Sequence, residues 1–249
     1  MMAMKVVFVG DANVGKTALF EKWKTGETPL DTEATIGIEF ERRPVTIPKD
    51  YLPTSFASSS SPSRSGIITT GAQQAEQDEK GQAVMLTVWD TAGQEKFRSM
   101  ATHHYRGTAG ALLVYDITDE ETFDNLATRW KPEVVQLAVE NVVLAVVANK
   151  CDLQTVTPGK AMVERGRAFA KQNGCLFFET SSHWDREMVS STSAAAKTPP
   201  SSEAGIETIL QRVGAEILRQ NVGKCASSGG LRLTAGAGCN QELLNGCAC

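Results

Sequence analysis

With 249 residues, 41% of them hydrophobic and 22% charged, the chain has material for one large globular domain and is too apolar for wholesale disorder. A formal charge of −4 speaks against a dedicated nucleic-acid binder, whose contact face is usually basic. The opening MMAMKVVFVG is too short for a secretory signal core, and no window approaches 18 uninterrupted apolar residues. The expected location is therefore the cytosol, where thiols stay reduced and six cysteines do not form a disulfide framework.

In chain order, MKVVFVG (4–10) reads as a first strand, and a helical pattern follows near 16–24. EFERRPVTI (39–47) alternates apolar and polar residues, which suits an antiparallel edge strand, and Pro44 fits an edge better than a centre. Positions 49–82, with SFASSSSPSRSG and AQQAEQDEKG, are poor in apolar residues and read as a disordered insert. VMLTVWD (84–90), GALLVYDIT (110–118), VVLAVVANK (142–150) and CLFFETS (175–181) are apolar on both faces, as in strands of a covered parallel sheet. Helical patterns fill 120–139, 159–173 and 203–221, and a second disordered insert is expected at 184–204. The alternation implies a doubly wound α/β domain over 1–222, followed by a flexible tail, 223–249. In such sheets the ligand lies beyond the carboxyl ends of the strands.

GDANVGKT (10–17) fits the pattern GxxxxGK[ST] between a strand and a helix, the signature of a phosphate-binding loop. Gly10 and Gly15 allow tight turning, so that N–H groups along Asp11, Ala12, Asn13, Val14, Gly15 and on to Ala18 meet phosphate oxygens. Lys16 would reach the β- and γ-phosphates, and the Thr17 hydroxyl would ligate Mg²⁺. The loop alone does not choose between ATP and GTP. NKCD (149–152) does, because the Asp152 carboxylate can accept both the N1–H and the N2–H₂ of guanine, a donor pair that adenine lacks. Asn149 can bond guanine N7 and brace the neighbouring loops, and the Lys150 stem can lie along the base. In WDTAGQEKF (89–97), Asp90 would hold Mg²⁺ through water, the Gly93 N–H would meet the γ-phosphate, and Gln94 would orient the attacking water. Thr35 would complete the Mg²⁺ shell only when a γ-phosphate is present, so hydrolysis would release two loops at once. Gln94, Lys16 and Thr35 are the candidate catalytic residues.

Taken in order, GDANVGKT, TIGIEF, WDTAGQEKF, NKCD and ETSS resemble the nucleotide motifs of the Ras superfamily of small GTPases. TIGIEF, WDTAGQEKFRSM and HYRGTAGALLVYDIT resemble the Rab family specifically. The resemblance implies a six-stranded, mostly parallel sheet with one antiparallel edge strand and five helices. It further implies GTP/GDP and Mg²⁺ as ligands, slow GTP hydrolysis, and a switch in vesicle traffic that recruits effectors in the GTP state. A guanine-nucleotide exchange factor, a GTPase-activating protein, a prenylation escort and a GDP-dissociation inhibitor are the implied partners, with no nucleic acid and a monomeric chain. Ser181 and Ser182, with His183 beside them, would line the guanine oxygen, and Phe40, Trp89 and His104 would form the effector face. His103 and His104 are adjacent on a helical pattern and point apart, so they are not read as a metal pair.

The chain departs from the family at Thr28, where an aromatic usually stacks on guanine, and loss of that ring leaves open a guanine-nucleotide-binding scaffold with little turnover. An ATP-dependent kinase is disfavoured by Asp152 and DTAGQ. The closing GCAC does not fit a four-residue CaaX box, whose cysteine position is taken by Gly246. It resembles the doubly prenylated CxC ending of many Rab proteins, with lipid on Cys247 and Cys249. Only Lys224 and Arg232 are basic between 221 and 249, so two lipid chains would have to anchor without a polybasic patch, cycling the protein onto a cytosolic membrane face.

Overall fold

The computed structural model describes residues 1–29, 38–52, 81–91, 104–153, 158–183 and 205–227. Its strands are β1 (Ala3–Val9), β2 (Ile38–Ile47), β3 (Gln82–Thr91), β4 (Gly110–Asp116), β5 (Val143–Asn149) and β6 (Leu176–Glu179). Its helices are α1 (Lys16–Thr25), α2 (Glu120–Asn125), α3 (Lys131–Leu137), α4 (Gly159–Gln172) and α5 (Ile206–Ser227). A π-helical turn, Leu126–Trp130, joins α2 to α3 into one helical run. Pro132 has no N–H to bond the Thr128 carbonyl, and the widened turn lies just before it. Asp119 caps α2 by accepting the Glu121 N–H at 3.0 Å. Among the described residues these form four continuous helical runs, at the stretches read as helical in the sequence.

The strands form one sheet in the order β2-β3-β1-β4-β5-β6. All neighbours are parallel except β2 and β3, which pair antiparallel from Ile38–Thr91 to Ile47–Gln82. Pro44 therefore lies on an edge strand, where a missing N–H costs least. Alternation along the inner strands divides the core into two layers. Met4, Val6 and Phe8 of β1, with Leu112 and Val114 of β4, pack against Leu19, Phe20 and Trp23 of α1 and Ile209, Leu210 and Val213 of α5. Val7 and Val9, with Leu113 and Tyr115, face Phe123, Leu126, Val134 and Met162 on the other side. Strands buried on both faces cannot show polar alternation, which is why β1, β4 and β5 read as continuous apolar runs.

Two boundaries differ from expectation. Within the stretch read as an insert at 49–82, Lys49–Tyr51 forms a 3₁₀ turn, Tyr51 and Leu52 pack against the core, and Gln82 opens β3. The Arg212 guanidinium of α5 lies 4.8 Å from the Tyr51 ring centre. Average composition hid these two apolar residues among polar neighbours. At the other end, α5 runs to Ser227, five residues beyond the domain limit drawn at 222.

Candidate functional site

The carboxyl ends of β1, β3 and β5 converge on the motifs read from the sequence. After Val9 the chain turns at Gly10, whose φ of +150° and whose approach to Val114 exclude a side chain: a Cβ there would sit 2.2 Å from the Val114 carbonyl oxygen. Gly15 (φ +92°) leads into α1, and a Cβ there would lie 2.3 Å from Asn149 Nδ2. Asn13 adopts a left-handed conformation (φ 63°) between them. Asp11, Ala12, Asn13, Val14 and Gly15 thus wrap the start of α1, whose first turn holds no acidic residue. Its Lys16, Thr17 and Ala18 amides are in the position that suits an anion.

Lys16 is 4% exposed, and its Nζ donates to the carbonyls of Gly10 (2.9 Å) and Asp11 (2.6 Å). Burial lowers its pKa from 10.5 to about 8, partly opposed by the negative charges of Asp90 and Asp11. Thr17 Oγ1 donates to Asp90 Oδ2 at 2.7 Å, and Asp90, at the end of β3, is fully buried. A hydroxyl and a carboxylate held together beside a phosphate loop are hard oxygen ligands, a donor set that fits Mg²⁺.

Asn149 ends β5 and is buried, and its Nδ2 donates to the Val14 carbonyl at 2.7 Å. One amide thus joins the loop after β1 to the turn after β5. Its Oδ1 is a buried acceptor without a hydrogen-bond partner among the described residues. Lys150 is left-handed (φ 62°), and its Nζ lies 2.6 Å from Asp116 Oδ2 at the end of β4. Asp152 sits in a 3₁₀ turn, Cys151–Leu153, and its Oδ1 accepts the Ser181 hydroxyl at 2.5 Å. Ser181 Oγ in turn accepts the His183 N–H at 3.0 Å, and the Cys151 N–H reaches the Thr180 carbonyl at 3.1 Å. The loops 149–153 and 180–183 are therefore one hydrogen-bonded unit.

The expected aromatic face also assembles. Pairing of Phe40 with Trp89 across β2 and β3 stacks their rings at 4.8 Å, and His104 lies 5.3 Å from Trp89. Phe40 remains 56% exposed, and Lys5 Nζ sits 4.4 Å from the Trp89 ring centre. Thr35, Gly93, Gln94, His103, Cys247 and Cys249 lie outside the described residues.

Three supporting contacts were not foreseen. Asp116 fixes Lys150, and the strand-end position of YDIT was the available signal for it. The Asp11 carboxylate accepts Asn125 Nδ2 (2.8 Å) and Trp130 Nε1 (2.7 Å), tying the phosphate loop to the π-helical turn. Nothing local in the sequence marks partners more than 100 residues apart.

A family model described as the Ras family matches residues 49–198, more than half of the chain. The chain belongs to the Ras family. A second model, described as Ras of Complex, Roc, domain of DAPkinase, matches residues 5–56, which contain the phosphate loop. The Ras-related protein Rab11A of Lotus japonicus is 35% identical to this Ras-family chain over 177 residues. That match covers 71% of this chain and 63% of the relative's length.

Proposed function

We propose that this Ras-family chain is a Mg²⁺-dependent, GTP-binding and GTP-hydrolysing switch of Rab type, acting in membrane traffic. The observation that carries this is the single frame formed by Asn149: it joins the phosphate loop at Val14 to the loop on which Ser181 holds Asp152. Spacing between phosphates and base is thereby set, and Asp152 supplies the two acceptor lone pairs that guanine requires. Lys16 and the α1 N-terminus would bind the phosphates, with Gly93 and Thr35 joining when a γ-phosphate is present. Thr17, Thr35 and, through water, Asp90 would hold Mg²⁺, which supplies charge neutralisation at the phosphate oxygens. Gln94 would orient water for in-line attack on the γ-phosphorus, releasing GDP and phosphate.

The nucleotide retained by the purified chain, and single-turnover GTP hydrolysis with and without Mg²⁺, test this directly. The expected results are bound guanine nucleotide, slow Mg²⁺-dependent turnover, and at least about a tenfold slowing in Gln94→Leu with GTP binding retained. Hydrolysis of ATP with indifference to GTP would sink the proposal. Unchanged turnover in the variant would remove Gln94 from its role. Tight GTP binding without turnover would favour the scaffold alternative, which Thr28 in place of a ring supports.

The Phe40, Trp89 and His104 surface would receive effectors in the GTP state, and exchange, activating, escort and GDP-dissociation-inhibitor proteins would complete the cycle. Cys247 and Cys249 are proposed to carry lipid chains that bring the switch to a cytosolic membrane face. Changing both cysteines to serine should leave GTP binding intact and move the protein wholly to the soluble fraction. Persistent membrane association in that double variant would refute the anchor.

A further inference from the structure

The segment after α1 is bonded to the base loop through a contact that the motifs do not contain. Thr28 Oγ1 donates to the Ser182 carbonyl at 2.6 Å, and Lys22 Nζ donates to the same carbonyl at 2.6 Å. Lys22 Nζ is also 3.1 Å from Thr28 Oγ1, so the three groups form one cluster. Its members lie 154 and 160 residues from Ser182 in sequence, and Ser182 is itself buried.

The cluster is coupled to the base-reading carboxylate through a single peptide unit. The Ser182 carbonyl and the His183 N–H belong to the same planar amide. That N–H donates to Ser181 Oγ at 3.0 Å, and Ser181 Oγ donates to Asp152 Oδ1 at 2.5 Å. Donors on the carbonyl, the amide itself, a hydroxyl and a carboxylate thus line up head to tail. Each bond polarises the next, and the ammonium of Lys22 at one end is matched by the Asp152 anion at the other. A phenyl ring at position 28 has no donor and could not enter this chain.

We propose that Lys22 and Thr28 are positioning residues that fix the orientation of the Asp152 carboxylate through the Ser182–His183 amide and Ser181, and so set guanine selectivity and nucleotide residence. This rests on Asp152 being the base-reading carboxylate. With one oxygen held by Ser181 and the peptide plane held by two donors, Asp152 presents a fixed edge to N1–H and N2–H₂ of the base. Without the latch, the loop retains its contacts to Asp152 but loses the outer constraint on its peptide plane.

Guanosine and inosine diphosphates separate this from a general loosening of the loop, because inosine keeps N1–H and lacks the 2-amino group. Dissociation rates of the two nucleotides are measured for the wild type and for Thr28→Val, Lys22→Met and Thr28→Ser. Loss of one hydrogen bond to a charged relay should speed GDP release about tenfold in the first two variants. The preference for GDP over IDP should fall about threefold or more, and Thr28→Ser should retain wild-type values. Equal acceleration of both nucleotides, with the preference unchanged, would assign the cluster a purely structural role and overturn the proposal. So would unaltered GDP release in both Thr28→Val and Lys22→Met. A wild-type protein that retains neither nucleotide would instead sink the guanine reading itself, which keeps the two failures distinct.

Discussion

Lys16→Met is expected to abolish tight nucleotide binding and to erase a proton uptake that the wild type shows at alkaline pH. The ammonium is buried and, among the described residues, hydrogen-bonds the Gly10 and Asp11 carbonyls, so two phosphate groups would take over as its main partners. Charged hydrogen bonds are worth about 1.5–3 kcal/mol each, so losing two weakens binding by about 10²–10⁴-fold. The pH dependence arises from burial, which brings the Lys16 pKa down from 10.5 to about 8. Above pH 8 the nucleotide-free protein sheds this proton, whereas the unfolded chain keeps it until about 10.5. Stability from this group therefore rises between pH 8 and 10.5 and is at its lowest below 8. Phosphate charge restores the proton. Calorimetry in buffers of different ionisation enthalpy should then show about one more proton taken up on GDP binding at pH 9 than by Lys16→Met, and about none at pH 7. Equal uptake by wild type and variant at pH 9, together with undiminished GDP affinity in Lys16→Met, would show that Lys16 does not meet the phosphates.

The parts of this site that are contiguous in sequence were legible there. Gly10 and Gly15 are required by positive φ and by neighbours at 2.2 and 2.3 Å, so the phosphate loop leaves a mark in the letters themselves. Asn149 to Asp152 is likewise one turn, and its place at the end of β5 follows from an apolar run that suits a strand covered on both faces. The contacts that hold these pieces in register were not legible. Asp116 on Lys150, Trp130 and Asn125 on Asp11, and Lys22 and Thr28 on Ser182 join residues whose separation carries no local pattern. Thr28 illustrates the limit. As a letter it registers only as the loss of a stacking ring, and its hydroxyl finds the Ser182 carbonyl, at 2.6 Å, only once the chain is folded. The edges of the first insert were hidden for the related reason that Tyr51 and Leu52 are apolar only in relation to a core the sequence does not display.

Asp152→Asn is expected to reverse the choice of base rather than merely weaken binding. In the wild type, Oδ1 accepts the Ser181 hydroxyl, and the carboxylate as a whole offers acceptors only. Asparagine can keep an oxygen toward Ser181, but its amide nitrogen then stands where an acceptor stood. Guanine would bring its 2-amino donor against that amide donor, leaving both buried and unpaired. Loss of two charge-assisted bonds corresponds to about 3–6 kcal/mol, or about 10²–10⁴-fold in GDP affinity. Xanthine carries a carbonyl at C2 in place of the amine while retaining N1–H, so its acceptor meets the new donor and its donor meets the remaining oxygen. The variant should therefore bind xanthosine diphosphate more tightly than GDP, while the wild type shows the opposite order. Competition of both diphosphates against a fluorescent nucleotide measures this in one titration. Because the phosphates are identical, the phosphate loop, Lys16 and Thr17 contribute equally to both arms, and any reversal must come from the edge read by residue 152. Retained preference for GDP in Asp152→Asn would mean that the base is not read by this carboxylate. The relay from Lys22 and Thr28 would then end on a group without a role in selectivity.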